Sequence, residues 1–237
     1  MNDREIPIVC YVTDRRSLAL PSAGAAELAL VDKIASLAAA GVDWVQIREK
    51  DLAAPSLAAL TRDAITRIRG FGSVRSTRVM VNDRFDVAIA EAADGVHLGE
   101  SSLPVSEVAR RVKGSESEAS VNDHGVASRL PADFLIGASC HSPEGAIAAA
   151  RDGADYIFFG PVFATPSKAK FGAPQGVKKL ATVCGAVSVP VIAIGGITIE
   201  NAGECIAAGA AGIAAIRLFQ DAGDPVQIVS TLKKLRR

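Results

Sequence analysis

The apolar positions of this chain fall in short unbroken runs rather than in strict alternation. Eight of them stand out: "PIVCYVT" (7–13), "DWVQIR" (43–48), "RVMVN" (78–82), "DGVHLG" (94–99), "DFLIGAS" (133–139), "DYIFFG" (155–160), "VPVIAIGG" (189–196) and "AGIAAIR" (211–217). A strand that is apolar along its whole length belongs to a parallel sheet covered on both faces. Segments of helical character lie between most of the runs, at 26–40, 55–69, 84–92, 142–152 and 198–208. A weak internal repeat shows the same order. "AAAGVDWVQIR" (38–48), "EAADGVHLG" (91–99), "ARDGADYIFFG" (150–160) and "AAGAAGIAAIR" (207–217) each pass from an Ala-rich helix through a Gly or Asp-Gly stop into a strand. Glycine just past the last helical turn is the usual stop signal.

Eight strand–helix units in 237 residues predict one α/β domain over 1–237, a single (β/α)8 TIM barrel. A doubly wound open sheet would carry a glycine-rich phosphate turn after its first strand, and "YVTDRRSL" is not one. Residues 114–132, "GSESEASVNDHGVASRLPA", break the rhythm: polar, Ser-rich and aperiodic, they are expected to form a mobile surface loop that carries His124.

Composition narrows the class. The 26 basic and 26 acidic residues balance without a long run of one sign, which argues against a general nucleic-acid or membrane-surface binder. Cys10, Cys140, Cys184 and Cys205 are scattered without a C-x-x-C pair, so reduced core thiols are expected. The first apolar run is too short and too acid-flanked for a signal peptide. No uncharged apolar stretch is long enough to span a bilayer, and a cytoplasmic location is expected.

In a barrel of this kind chemistry sits at the carboxyl ends of the strands, and those ends are polar here. Gln46, Arg48 and Lys50 alternate, so they share one side of an extended segment. Facing the mouth, they would bring an amide and two cations together; facing the rim, Arg48 and Lys50 would pair with Glu49 and Asp51. Strand three ends in Asn82 and Asp83, and strand four in His97, Gly99, Glu100 and Ser102. Their oxygens suit a hard cation such as Mg2+, although Asn82 or Asp83 could equally cap the helix at 84–92. Strand five ends "GASCHS", with Ser139, with His141 as a proton-transfer group or a rim hydrogen-bonder, and with Ser142 placed to cap the next helix.

After strand six, "GPVFATPSKAK" supplies Thr165, Ser167 and Lys168 between Gly160 and Gly172, a donor set suited to a phosphate or pyrophosphate. Strand seven ends in Gly195 and Gly196 and strand eight in Ile216 and Arg217, where barrels often seat a phosphate. Two anion sites at one mouth imply one or two phosphorylated substrates.

The motifs "QIREKDL" (46–52), "VNDRFDVA" (81–88), "GVHLG" (95–99), "GASCHS" (137–142), "GPVFATPSK" (160–168) and "VPVIAIGGIT" (189–198), in this order and spacing, resemble the thiamine phosphate synthase and thiazole tautomerase family over nearly the whole chain. The resemblance implies a (β/α)8 barrel whose synthases join hydroxymethylpyrimidine diphosphate to thiazole phosphate, releasing pyrophosphate with the help of Mg2+. Carried over by motif, Gln46, Arg48, Lys50, Asn82, Thr165, Ser167 and Lys168 would bind the pyrimidine and its diphosphate. Asp83 would carry Mg2+, and Ser139 would lie beside the pyrimidine. Gly196 and the backbone near Ile216 and Arg217 would take the thiazole phosphate. The implied partners are these small phosphorylated substrates, with a homo-oligomer left open.

One departure from the family pattern stands out. Synthases resembling this chain usually carry a Gln and then a second Mg2+-binding Asp after "HLG", whereas "HLGESSLP" has Glu100 and Ser102 in those places. The tautomerase branch lacks that Asp and is expected to use the histidine matching His141 on a thiazole carboxylate phosphate. "QIREK" and "ND" point to the synthase, "CHS" and "TPSK" to the tautomerase. The sequence favours synthase chemistry; a tautomerase is the alternative, and a non-catalytic barrel binding thiazole or thiamine phosphate a lesser one.

Overall fold

A computed structural model describes residues 6–18, 22–70, 77–114, 130–131, 133–165 and 173–236. The expected loop at 114–132 falls outside them apart from Gly114, Leu130 and Pro131, and His124, Ser167 and Lys168 fall outside entirely. The elements run β1 (Ile8–Val12), a 3-10 turn (Arg15–Leu18), α1 (Ala23–Ala39), β2 (Trp44–Ile47), α2 (Ala54–Gly70), β3 (Arg78–Asn82), α3 (Phe85–Ala90), β4 (Gly95–Leu98) and α4 (Val105–Lys113). They continue with β5 (Leu135–Cys140), α5 (Pro143–Arg151), β6 (Tyr156–Phe159), α6 (Gly176–Ala186), β7 (Val191–Ile194), α7 (Ala202–Ala207), β8 (Gly212–Ala215), α8 (Arg217–Gln220) and α9 (Pro225–Lys233). All eight strands are parallel, each bonded to the next, and β8 closes on β1. The sequence reading of a (β/α)8 barrel is thereby borne out.

Local chemistry explains where helices start. Ser22 and Ser142 accept hydrogen bonds from the N–H groups of Ala25 and Gly145, and Asp224 from that of Gln227, each the side-chain cap that orphan N–H groups need. The helix expected over 198–208 begins only at Ala202, because Asn201 first folds a turn: its Oδ1 accepts from the Thr198 N–H and its Nδ2 donates to the Gly196 carbonyl.

Two apolar layers follow from the strand pleat. Outward residues such as Val9, Tyr11, Val45, Ile47, Val79 and Val81 pack beneath the helices. The barrel interior holds Cys10, Val12, Trp44, Met80, Tyr156, Phe158, Ile192 and Ala214. Tyr156 crosses this interior because Gly137, on the neighbouring strand, has no side chain: a Cβ there would lie 2.1 Å from the tyrosine ring. None of the four cysteines is in a disulfide, and three of them are buried.

The repeat in the sequence has a structural counterpart at the amino-terminal rim. Asp43, Asp94 and Asp155, each just before an even-numbered strand, accept the N–H of the second residue of the preceding odd strand: Val9 at 2.7 Å, Val79 at 2.7 Å and Ile136 at 2.8 Å. Each carboxylate also faces a cation from the helix layer, Lys233, Arg69 and Lys113 respectively. In the fourth copy of the repeat Ala211 stands in the aspartate's place.

Candidate active site

At the opposite, carboxyl-terminal rim the inward positions of β2 to β5 are Gln46, Asn82, His97 and Ser139, all polar, while Val12, Phe158, Ile194 and Ile216 make the rest of the ring apolar. The mouth therefore has a polar arc facing a greasy one.

The arc is wired by hydrogen bonds. Gln46 Nε2 donates to Asn82 Oδ1 at 2.9 Å, and Asn82 Nδ2 donates to Asp83 Oδ2 at 2.6 Å. The ammonium of Lys50 stands 3.3 Å from the same Asp83 oxygen. Asp83 Oδ1 accepts from the Gly99 N–H at 3.0 Å and from the Ser102 hydroxyl. Burial opposes ionisation of Asp83, but these donors and Lys50 outweigh it and hold the carboxyl below its usual range. Asp83 sits at φ 60°, a left-handed conformation that non-glycine residues rarely adopt and that aspartate tolerates best. Neither Asn82 nor Asp83 caps α3, whose N-cap is Arg84 without a side-chain bond, so the capping alternative fails.

Glu49 and Asp51 do not pair with Arg48 and Lys50, as the rim alternative would have it. They turn to the other side of the strand and bind Arg15 at 3.1 and 2.6 Å. Arg48 and Lys50 are left on the mouth side, where the charge of both disfavours protonation of His97.

His97 is buried, with Nε2 2.9 Å from Ser139 Oγ and Nδ1 3.2 Å from the Tyr156 hydroxyl. Its ring packs on Phe158 with centroids 4.3 Å apart. Burial pushes its pKa down to about 3, so the ring is neutral at pH 7. A neutral imidazole donates through one nitrogen and accepts through the other, so one of the two hydroxyls it touches donates to the ring and the other accepts from it. Sequence reading noted His97 at a strand end without giving it a role; its partners lie 42 and 59 residues away.

Across the mouth, Val162 and Phe163 donate their N–H groups to the carbonyls of Ile194 and Gly195, both at 2.9 Å, docking the loop after β6 onto the end of β7. Gly196, at φ 67°, lets this happen: a Cβ there would lie 2.5 Å from the Ala164 carbonyl oxygen. His141 Nδ1 binds the Gly160 carbonyl at the head of that loop. Since a carbonyl only accepts, Nδ1 carries the proton in this bond. Thr165 ends the described part of the loop. Ile216 packs against the barrel interior and the exposed Arg217 opens α8. A separate cavity of about 600 Å3 lies between α1 and α2, lined by Leu28, Leu60, Asp63 and Arg67 among others, on the outer wall away from this constellation.

Oxygen donors for a hard cation are present but few. Among the described residues no group of three or more His, Cys, Asp or Glu side chains is placed to hold a metal. Mg2+, however, keeps several waters and is held by one or two carboxylates plus substrate phosphates. Asp83 and Ser102 fit that mode, with Glu100 exposed alongside.

Two stretches of the chain, residues 11–117 and 117–219, match the family model described as thiamine monophosphate synthase. The chain belongs to this family. A thiamine-phosphate synthase of Methanoculleus marisnigri is 42% identical over 201 residues, covering 84% of this chain and 85% of that protein. One from Chlorobium luteolum is 36% identical over 232 residues, covering 98% and 94%. Among solved structures, thiamine phosphate pyrophosphorylase from Pyrococcus furiosus superposes with a TM-score of 0.73 at 29% identity, covering 96% of this chain and 95% of that one. These relatives carry synthase names, which favours the synthase side of the family over the tautomerase. Among the described residues no helix is long and apolar enough to cross a membrane.

Proposed function

We propose that this protein is a transferase that joins hydroxymethylpyrimidine diphosphate to thiazole phosphate, making thiamine phosphate and releasing pyrophosphate. The observation that carries this reading is the arc Gln46–Asn82–Asp83, with Lys50 and Ser102 on the same carboxylate, in a chain of this family. In the reaction the bond between the pyrimidine methylene carbon and the diphosphate oxygen breaks, and its electron pair leaves with pyrophosphate. A new bond forms between that carbon and the thiazole nitrogen.

Negative charge therefore grows on the departing oxygens. Pre-placed donors aimed at such charge each contribute about 100- to 1000-fold in rate. On the mouth side Arg48 and Lys50 supply the opposing positive charge, and Thr165, Ser167 and Lys168 are proposed to supply hydroxyl and ammonium donors from the loop after β6. Gln46 and Asn82 would read the pyrimidine edge, with Ser139 beside the ring and oriented by His97. Gly196 and the backbone at Ile216 and Arg217 would receive the thiazole phosphate. Bound at Asp83 and Ser102, Mg2+ would neutralise diphosphate charge as a Lewis acid. No step needs a general base, which agrees with a neutral His97 and with His141 anchoring the loop through Nδ1. A cytoplasmic enzyme acting on small phosphorylated substrates completes the reading.

The test is formation of thiamine phosphate by purified protein given both substrates, first with Mg2+ and then with excess chelator. Product that depends on Mg2+ is expected. Folded protein that makes none in either condition would overturn the proposal.

A further inference from the structure

Behind the mouth, on the far side of the β2 extension from Arg48 and Lys50, lies a buried polar knot that the proposed chemistry does not use. Thr13, just past β1, is fully buried; Glu49 and Arg15 are 4% and 8% exposed. Glu49 accepts the Thr13 hydroxyl at 2.5 Å, the Arg15 N–H at 3.1 Å and the Arg15 guanidinium at 3.1 Å. The same guanidinium holds Asp51 through two bonds, of 2.7 and 2.6 Å. Thr13 Oγ1 in turn accepts the backbone N–H of Arg48 at 2.9 Å. A buried ion pair of this kind is weak support for stability, because desolvation offsets most of the attraction. Burial in fact raises the carboxyl pKa of Glu49 despite its three donors.

What the knot does is geometric. β2 ends at Ile47, so residues 48–51 leave the strand ladder and the alternation of side chains is no longer enforced by it. The odd residues, Glu49 and Asp51, are tied to Arg15 and Thr13 on the outer side, and the Arg48 backbone is tied to Thr13. The even residues have only the mouth left to face.

We infer that Thr13, Arg15 and Glu49 are positioning residues that aim Arg48 and Lys50 at the diphosphate of the substrate. The substrate rests on the synthase reading; the binding of inorganic pyrophosphate does not, and it is the probe that separates the two. Thr13→Val removes the hydroxyl that bridges Arg48 and Glu49, whereas Thr13→Ser retains it.

With Mg2+ present, Thr13→Val should raise the Kd for inorganic pyrophosphate, and the KM for the pyrimidine diphosphate, about tenfold, as misaimed binding groups do. The KM for thiazole phosphate should stay unchanged, and Thr13→Ser should restore the wild-type values. A folded Thr13→Val protein with wild-type pyrophosphate affinity, or with equal losses for both substrates, would overturn the inference. Should Thr13→Val fail to fold, amide exchange in the wild type decides. A strongly protected Arg48 N–H is expected, and one exchanging like an open loop refutes the tether. A wild-type protein that makes no thiamine phosphate, yet loses pyrophosphate on Thr13→Val, would sink the synthase reading and uphold this one.

Discussion

The hydroxyl of Ser102 donates to Oδ1 of Asp83, on the carboxylate that the family resemblance would pair with a second acid at position 102. Ser102→Asp would place two carboxylates in contact, and like charges that close cannot both ionise without help. The variant should unfold at a lower temperature than the wild type in chelator and regain the difference in Mg2+, with tighter Mg2+ binding by calorimetry. A melting temperature indifferent to Mg2+ would show that position 102 does not face the metal.

Lys168 follows Phe163, whose N–H together with that of Val162 bonds to the end of β7, by five residues in sequence. Lys168→Ala should weaken pyrimidine diphosphate binding by at least about tenfold, the scale of one lost charge-assisted contact, and barely alter thiazole phosphate binding. Titration of each ligand alone is the measurement; equal losses would remove the loop from the diphosphate site.

His97 predicts a particular acid sensitivity. Its pKa falls from 6.5 to about 3 on folding, chiefly through burial. Below 6.5 the unfolded chain takes up a proton that the folded one refuses, so the stability it contributes is complete above 6.5 and is lost as pH falls toward 3. The slope from one such group is at most about 1.4 kcal/mol per pH unit. Denaturant unfolding between pH 7 and pH 4 should therefore be less pH-dependent in His97→Gln than in wild type. Parallel curves would mean the histidine titrates normally.

Gly196→Ala puts a methyl group against the carbonyls of Ala164 and Phe163 at 2.5 and 2.7 Å, on a backbone with φ 67°. The left-handed conformation alone costs an alanine roughly 1–2 kcal/mol, and the clash must push the loop off β7. A lower melting temperature and a raised KM for thiazole phosphate are expected. Unchanged kinetics would place that phosphate elsewhere.

The strand ends were legible in the sequence because polar residues interrupt apolar runs, and Gln46, Asn82 and Asp83 proved to be neighbours. Alternation also separated Arg48 and Lys50 from Glu49 and Asp51. It could not say what packs behind them, since Arg15 sits in a turn after another strand and has no periodicity to give it away. His97 stayed without a role for a related reason: within "GVHLG" it reads as an interruption, and only the closed barrel brings Ser139 and Tyr156 to its two nitrogens. Whether Asp83 capped a helix or faced the mouth depended on a left-handed backbone that residue type alone does not specify.

Asp43, Asp94 and Asp155 fasten neighbouring strands at the rim farthest from the mouth. Strands of four to six residues, at about 3.3 Å each, put a full barrel height between those fastenings and the reacting end. Register is thus secured at one rim while the other is free to vary. The residue at position 102, or the loop after β6, can differ without disturbing the aspartates that hold the staves together. Heritable change in chemistry and heritable change in foldability fall at opposite ends of the same eight strands.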